Sequence, residues 1–123
     1  MAETKKLFTL QEVAAYRDRD FIAESEDTVA TNSITITLAA STGRRHYLQN
    51  ITLAGTAGGG GAEAITVTSG STGKWTGQFT IGTERDKPFY GMGLVCGEGE
   101  AVTIVASATA LTHGTLSVTG FTK

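Results

Sequence analysis

From Ile34 the apolar residues of this chain fall on every second position. Ile34, Ile36 and Leu38 alternate with Thr35 and Thr37, which puts the apolar side chains on one face of an extended strand and the hydroxyls on the other. The pattern selects a half-buried strand. The same reading gives strands near 45–54 (RHYLQNITLA), 63–69 (EAITVTS), 74–81 (KWTGQFTI), 88–96 (PFYGMGLVC), 100–107 (EAVTIVAS) and 114–121 (GTLSVTGF). Seven strands therefore fill the body. STGR, GTAGGGG, SGSTG, GTERDKP and CGEGE separate them, all turn-forming material. Strand spacings of about ten residues with β-branched enrichment and no helical period argue an all-β chain folded as an antiparallel β-sandwich.

The first thirty residues differ in kind. Thr9-Leu10-Gln11-Glu12 fits a capping box, in which Thr9 accepts from the backbone and Glu12 reaches back to the cap, so a short helix is expected to start there. RDRDFIAESED then crowds acidic and basic residues together. Residues 1–30 read as an N-terminal arm, helical in part or extended, and residues 31–123 as the sandwich domain. The arm's apolar anchors are Leu7, Phe8, Leu10, Val13, Tyr16, Phe21 and Ile22. They offer too little apolar area to fold alone, so the arm is expected to dock on the body, on a sister subunit or on a partner, and these seven residues are the candidate partner-binding set.

With 123 residues the chain is one ordinary domain, and a formal net charge of -2 leaves no basic field to recruit nucleic acid. Charged residues make up only 18%, a light share that hints at surface meant to be covered. The single Cys96 cannot form an internal disulfide, and no charged-then-apolar leader opens the sequence, so synthesis in a reducing cytoplasm is expected. No apolar run approaches the roughly 18 residues of a membrane-spanning helix, and no membrane partner is expected.

Reactive chemistry is thin. In GSTGKWTG (70–77) the first glycine of a phosphate-binding loop is replaced by Thr68 and its hydroxyl by Trp75, so the stretch reads as the connection between two strands. His46, His113 and Cys96 stand at no recognised metal spacing, and His46 beside Arg44 and Arg45 reads as a polar strand edge. Glu98 and Glu100 straddle Gly99 and read as solvated turn carboxylates. Asp18, Asp20 and Glu24 begin like a calcium loop, but Ile22 and Ala23 stand where a ligand and the turn glycine belong. Gly58 to Gly61 lack the third glycine and the helix of a dinucleotide site and read as a hairpin tip. Tyr47, Trp75 and Tyr90 could stack on a sugar, though aromatics in a sandwich more often pack its core. No catalytic residue, cofactor or metal is expected.

RRHYLQNITLAG, ITVTSGSTGKWTGQFTIG, PFYGMGLVCGEGEAVTIVASA and LSVTGF resemble the small β-sandwich virion proteins of tailed bacteriophages, of the capsid decoration (cement) type. The resemblance runs through an arginine-aromatic strand start (Arg45, Tyr47), a Trp-x-Gly strand (Trp75, Gly77), a Pro-Phe-x-Gly step (Pro88, Phe89, Gly91) and a closing Gly120-Phe121. It covers about three-quarters of the chain, leaves out the arm, and rests on packing motifs rather than chemical ones. It implies a jelly-roll-like domain, commonly a homotrimer, on the outer capsid surface, bridging major capsid protein subunits and so stabilising the head. The alternatives are a receptor- or glycan-binding module of a tail fibre or baseplate, with ligand at the loop tips around Gly58 to Gly61, Thr83 to Lys87 and Glu98, or a structural tail or neck component.

Overall fold

The structure, a computed structural model, describes residues 19–28, 33–57, 62–80, 85–107 and 111–123. They form nine strands: β1 (Asp20–Thr28), β2 (Ile34–Leu38), β3 (His46–Ala57), β4 (Ala62–Ser69), β5 (Thr72–Thr80), β6 (Arg85–Pro88), β7 (Leu94–Val95), β8 (Val102–Ala106) and β9 (Leu111–Thr122). All pairings are antiparallel. One sheet has the order β1-β9-β3-β6, with β7 also pairing β3, and the other has β2-β8-β4-β5.

The topology follows from nested pairing. β4 pairs β5 at the centre, β3 pairs β6 and β7 outside it, then β2 pairs β8, and β1 pairs β9. A single long hairpin of this kind, folded over and joined by the β3–β9 and β4–β8 ladders, gives the two-sheet order of a jelly roll. The sandwich and its jelly-roll character are as the sequence led one to expect.

The alternation that opens β2 also builds the core. Ile34, Ile36 and Leu38 are buried and Thr35 and Thr37 exposed. Their partners are Leu48, Ile51 and Leu53 of β3, Ile65 and Val67 of β4, Val102, Ile104 and Ala106 of β8, and Leu116 and Val118 of β9. Each fully buried Leu, Ile or Val contributes about 1.5–3 kcal/mol of transfer free energy.

Three strand expectations are corrected. Residues 88–96 are not one strand: β6 ends at Pro88, the Phe89 amide makes a last bond to the Gln49 carbonyl of β3, Phe89–Gly93 is a loop, and pairing resumes only at β7. Residues 85–88, expected as turn, form β6 against β3. Residues 20–28, expected within the arm, form a strand paired with β9 over its whole length. β1 escapes the alternation test because it is an edge strand whose side chains are largely exposed on both faces. The expected helix and its cap at Thr9 lie outside the described residues.

The turn between β4 and β5 is a two-residue connection. Ser69 pairs Thr72 across Gly70 and Ser71, and Gly70 takes φ 58°, the positive value that a tight hairpin requires at its first central position.

Candidate functional site

Several polar groups among the described residues serve the architecture. His46 is buried, contrary to the expected polar edge. Its Nε2 lies 2.8 Å from the Ala39 carbonyl, which can only accept, so this nitrogen carries a proton, and its Nδ1 shares a hydrogen bond of 2.7 Å with the Thr122 hydroxyl. The imidazole thereby ties β3 to β9 and to the segment after β2. Glu100 is half-buried and accepts from the Ser69 hydroxyl at 3.0 Å, while Ser69 Oγ accepts from the Gly97 amide at 2.8 Å. Glu98 is exposed. The two carboxylates therefore occupy different environments, and Glu100 pins the turn before β8. The side chain of His113 and the run Gly58 to Gly61 lie outside the described residues.

Cys96 is fully buried. Burial pushes its thiol from 9.0 up to about 11; nearby Lys74 works against the shift and Glu100 adds to it. The thiolate is the reactive species, so alkylation of the native protein at pH 8 is expected to be slow and to accelerate at least tenfold on unfolding in denaturant. Equal rates in both states would place the thiol in solvent. The sign for stability follows: the folded protein prefers the thiol, so this contribution is whole below about pH 9 and is lost as pH rises toward 11. Among the described residues no group of three or more His, Cys, Asp and Glu is arranged to hold a metal ion.

The outer faces of the two sheets differ. On the β2-β8-β4-β5 sheet the register aligns Thr35, Val105, Thr66 and Thr76 in one cross-strand row, and Thr37, Thr103 and Thr68 in the next. No charged residue stands in either row. On the other sheet the hydroxyls bond to one another or to acids: Thr115 to Asp27 at 2.6 Å, Ser117 to Ser25 at 3.3 Å and Thr52 to Asp86 at 2.6 Å. At one end of that sheet Phe21, Phe121, Tyr47 and Val95 form a row across four strands. Tyr47 stacks on Phe121 with centroids 4.8 Å apart, and the Arg19 guanidinium caps the same ring at 4.3 Å, leaving Phe121 buried on the outside of the sheet.

The expected partner-binding set divides. Phe21 lies on the outer face in that row and is 70% exposed, whereas Ile22 turns inward and packs against the core. Leu7, Phe8, Leu10, Val13 and Tyr16 lie outside the described residues. Nor do the three candidate sugar-stacking aromatics share a face. Tyr47 is on the outside of its sheet, Trp75 sits between the sheets against Phe79 and Phe89, and Tyr90 is exposed on the loop after β6.

The motifs that carried the family resemblance have packing reasons. A Cβ on Gly77 would strike the Trp75 indole, which lies over it. The Phe89 amide bonds the Gln49 carbonyl at 2.9 Å and Arg45 reaches the Cys96 carbonyl at 3.2 Å. The cross-strand threonine rows were not legible, because alternation assigns faces but not neighbours. No protein-family model matches the sequence, no curated protein matches it, and no solved structure matches the fold.

Proposed function

We propose that this protein is a structural component of a tailed-phage virion, a decoration or cement protein that covers the outer surface of the head and bridges neighbouring major capsid protein subunits, acting as a homotrimer. The observation that carries this reading is the pair of charge-free cross-strand rows on the β2-β8-β4-β5 sheet, Thr35, Val105, Thr66 and Thr76 in one and Thr37, Thr103 and Thr68 in the next. Neutral rows can be covered by a partner without desolvating charge. The jelly roll supplies the body, and the sequence before Arg19 supplies Leu7, Phe8, Leu10, Val13 and Tyr16 as proposed partner contacts. Weak contacts repeated on a trimer add up, because the second and third become intramolecular once the first has formed.

β1 is part of the sandwich, so the informative truncation ends at residue 18. Removing residues 1–18 is expected to leave the far-ultraviolet spectrum and the melting transition of a β-sandwich in place while binding to shells falls at least tenfold. Full occupancy of shells by the truncated protein would remove these contacts from the account. Tyr90, 87% exposed beside Met92 at 47%, favours the second reading, a glycan-binding module of a fibre or baseplate. A glycan array separates the two, since a decoration protein gives no hits.

A further inference from the structure

β1 and β6, on opposite edges of the five-stranded sheet, carry opposite charge at positions in register with the core. On β1, Glu24 stands opposite Val118 and Glu26 opposite Leu116. On β6, Lys87 stands opposite Ile51 and Arg85 opposite Leu53. The β3–β9 ladder joins these pairs into two cross-strand rows, Glu24–Val118–Ile51–Lys87 and Glu26–Leu116–Leu53–Arg85. Each row begins on an acid and ends on a base. The aromatic row ends likewise on exposed apolar residues, Phe21 at 70% and Val95 at 41%.

We propose that the β1 edge of one copy docks against the β6 edge of a second copy, head to tail, with Glu24 meeting Lys87 and the position of Glu26 falling in one row with that of Arg85. Successive strands from β1 to β6 alternate in direction, so the joined edges meet antiparallel, the sense of every other pair in the sheet. Charge on the core-facing positions of an edge strand blocks indiscriminate pairing. Opposite signs on the two edges convert that block into a choice, because a two-fold contact would set Glu24 and Glu26 against their own copies. Asp20, at the end of β1, is already engaged by Arg44, which leaves Glu24 and Glu26, both exposed, as the acidic pair. Lys87 is held beside the Phe89 ring, its ammonium 5.4 Å from the centroid. Pro88 ends β6 without a donor, so charge pairs rather than a long hydrogen-bonded ladder set the register. Self-association of this kind needs no shell, and it stands or falls apart from the decoration reading.

The test measures the mass of the free, full-length protein by light scattering over a range of concentration and salt. The variants are E24K/E26K, R85E/K87E and the fourfold combination, with circular dichroism confirming the fold of each. The wild type is expected to exceed two copies at low salt and to dissociate as screening rises. Each double reversal should weaken association about tenfold or more. Mixing the two double variants should restore association, as should the fourfold exchange of signs. The neutral pair E24Q and K87Q serves if a reversal fails to fold, and is expected to flatten the salt dependence. A wild type that stays at 12.8 kDa or stops at two copies, or reversals that keep the wild-type mass, would overturn the proposal.

Discussion

Replacing Gly120 with valine is expected to destabilise the protein by about 3 kcal/mol, the upper end of the overpacking range, lowering the melting midpoint by roughly 10–15 °C for a domain of this size. Gly120 lies in β9 opposite Leu48 of β3. A Cβ there would overlap the Tyr47 carbonyl oxygen and crowd the Leu48 Cα. Those are backbone atoms of the longest ladder in the molecule, and they cannot turn aside as a side chain can. The flanking residues leave no slack, since Leu48 is fully buried inward while Phe121 and Tyr47 are stacked outward. The strands would have to part where the two halves of the nested hairpin are joined. Gly120→Ala should show the same sign at smaller size. An unchanged midpoint in the valine variant would mean that β3 and β9 do not approach so closely.

Trp75→Ala is expected to cost about 2–4 kcal/mol, somewhat below the range for fully buried aromatics because the indole is only half-buried. The ring meets Phe79 at 6.4 Å and Phe89 at 5.4 Å between centroids, both nearly edge-on, and each such pair adds about 0.5–1.5 kcal/mol beyond burial. Phe79 belongs to β5 of one sheet, and Phe89 follows β6 of the other. The tryptophan therefore closes that side of the sandwich, and its loss should loosen β5 and β6 together. Thermal melting checks the magnitude. A variant as stable as the wild type would put Trp75 in solvent and return it to the candidates for sugar stacking.

How much was legible beforehand follows from what period-two patterning measures. It finds strands with one wet and one dry face, so β2, β4, β8 and the buried stretch of β9 stand out directly. It fails at edges. β1 alternates Phe21, Ala23 and Ser25 with Ile22, Glu24 and Glu26, a mixture that looks like a solvated arm because an edge strand exposes both faces. It also fails across β6 and β7, where the loop from Phe89 to Gly93 interrupts what composition presents as one run. His46 looked polar beside two arginines, and only the approach of Ala39 and Thr122 explains its burial. The threonine rows and the acid-to-base rows are properties of register, and register between distant strands is written in no local segment. Phe21 and Ile22 are adjacent in sequence and sit on opposite faces because successive side chains of a strand alternate, which becomes readable only once residues 20–28 are known to be a strand.

In the proposed role the charge-free threonine rows meet the partner surface, while the charges on β1 and β6 govern contact between copies independently of it. Edge charges favour contact between copies and the threonine rows favour a partner, so the two associations should respond differently to salt. Contacts through the neutral rows are expected to vary little with ionic strength, whereas those between edges weaken as it rises.

The most direct test of the proposed decoration role is cosedimentation of the purified full-length protein with mature, expanded phage shells and with immature shells, both lacking this protein. The account predicts saturable binding to the expanded shell at a fixed ratio to its subunits, by a species three times the chain mass. Absence of binding to either shell would contradict it and move the protein to the tail or to a glycan ligand.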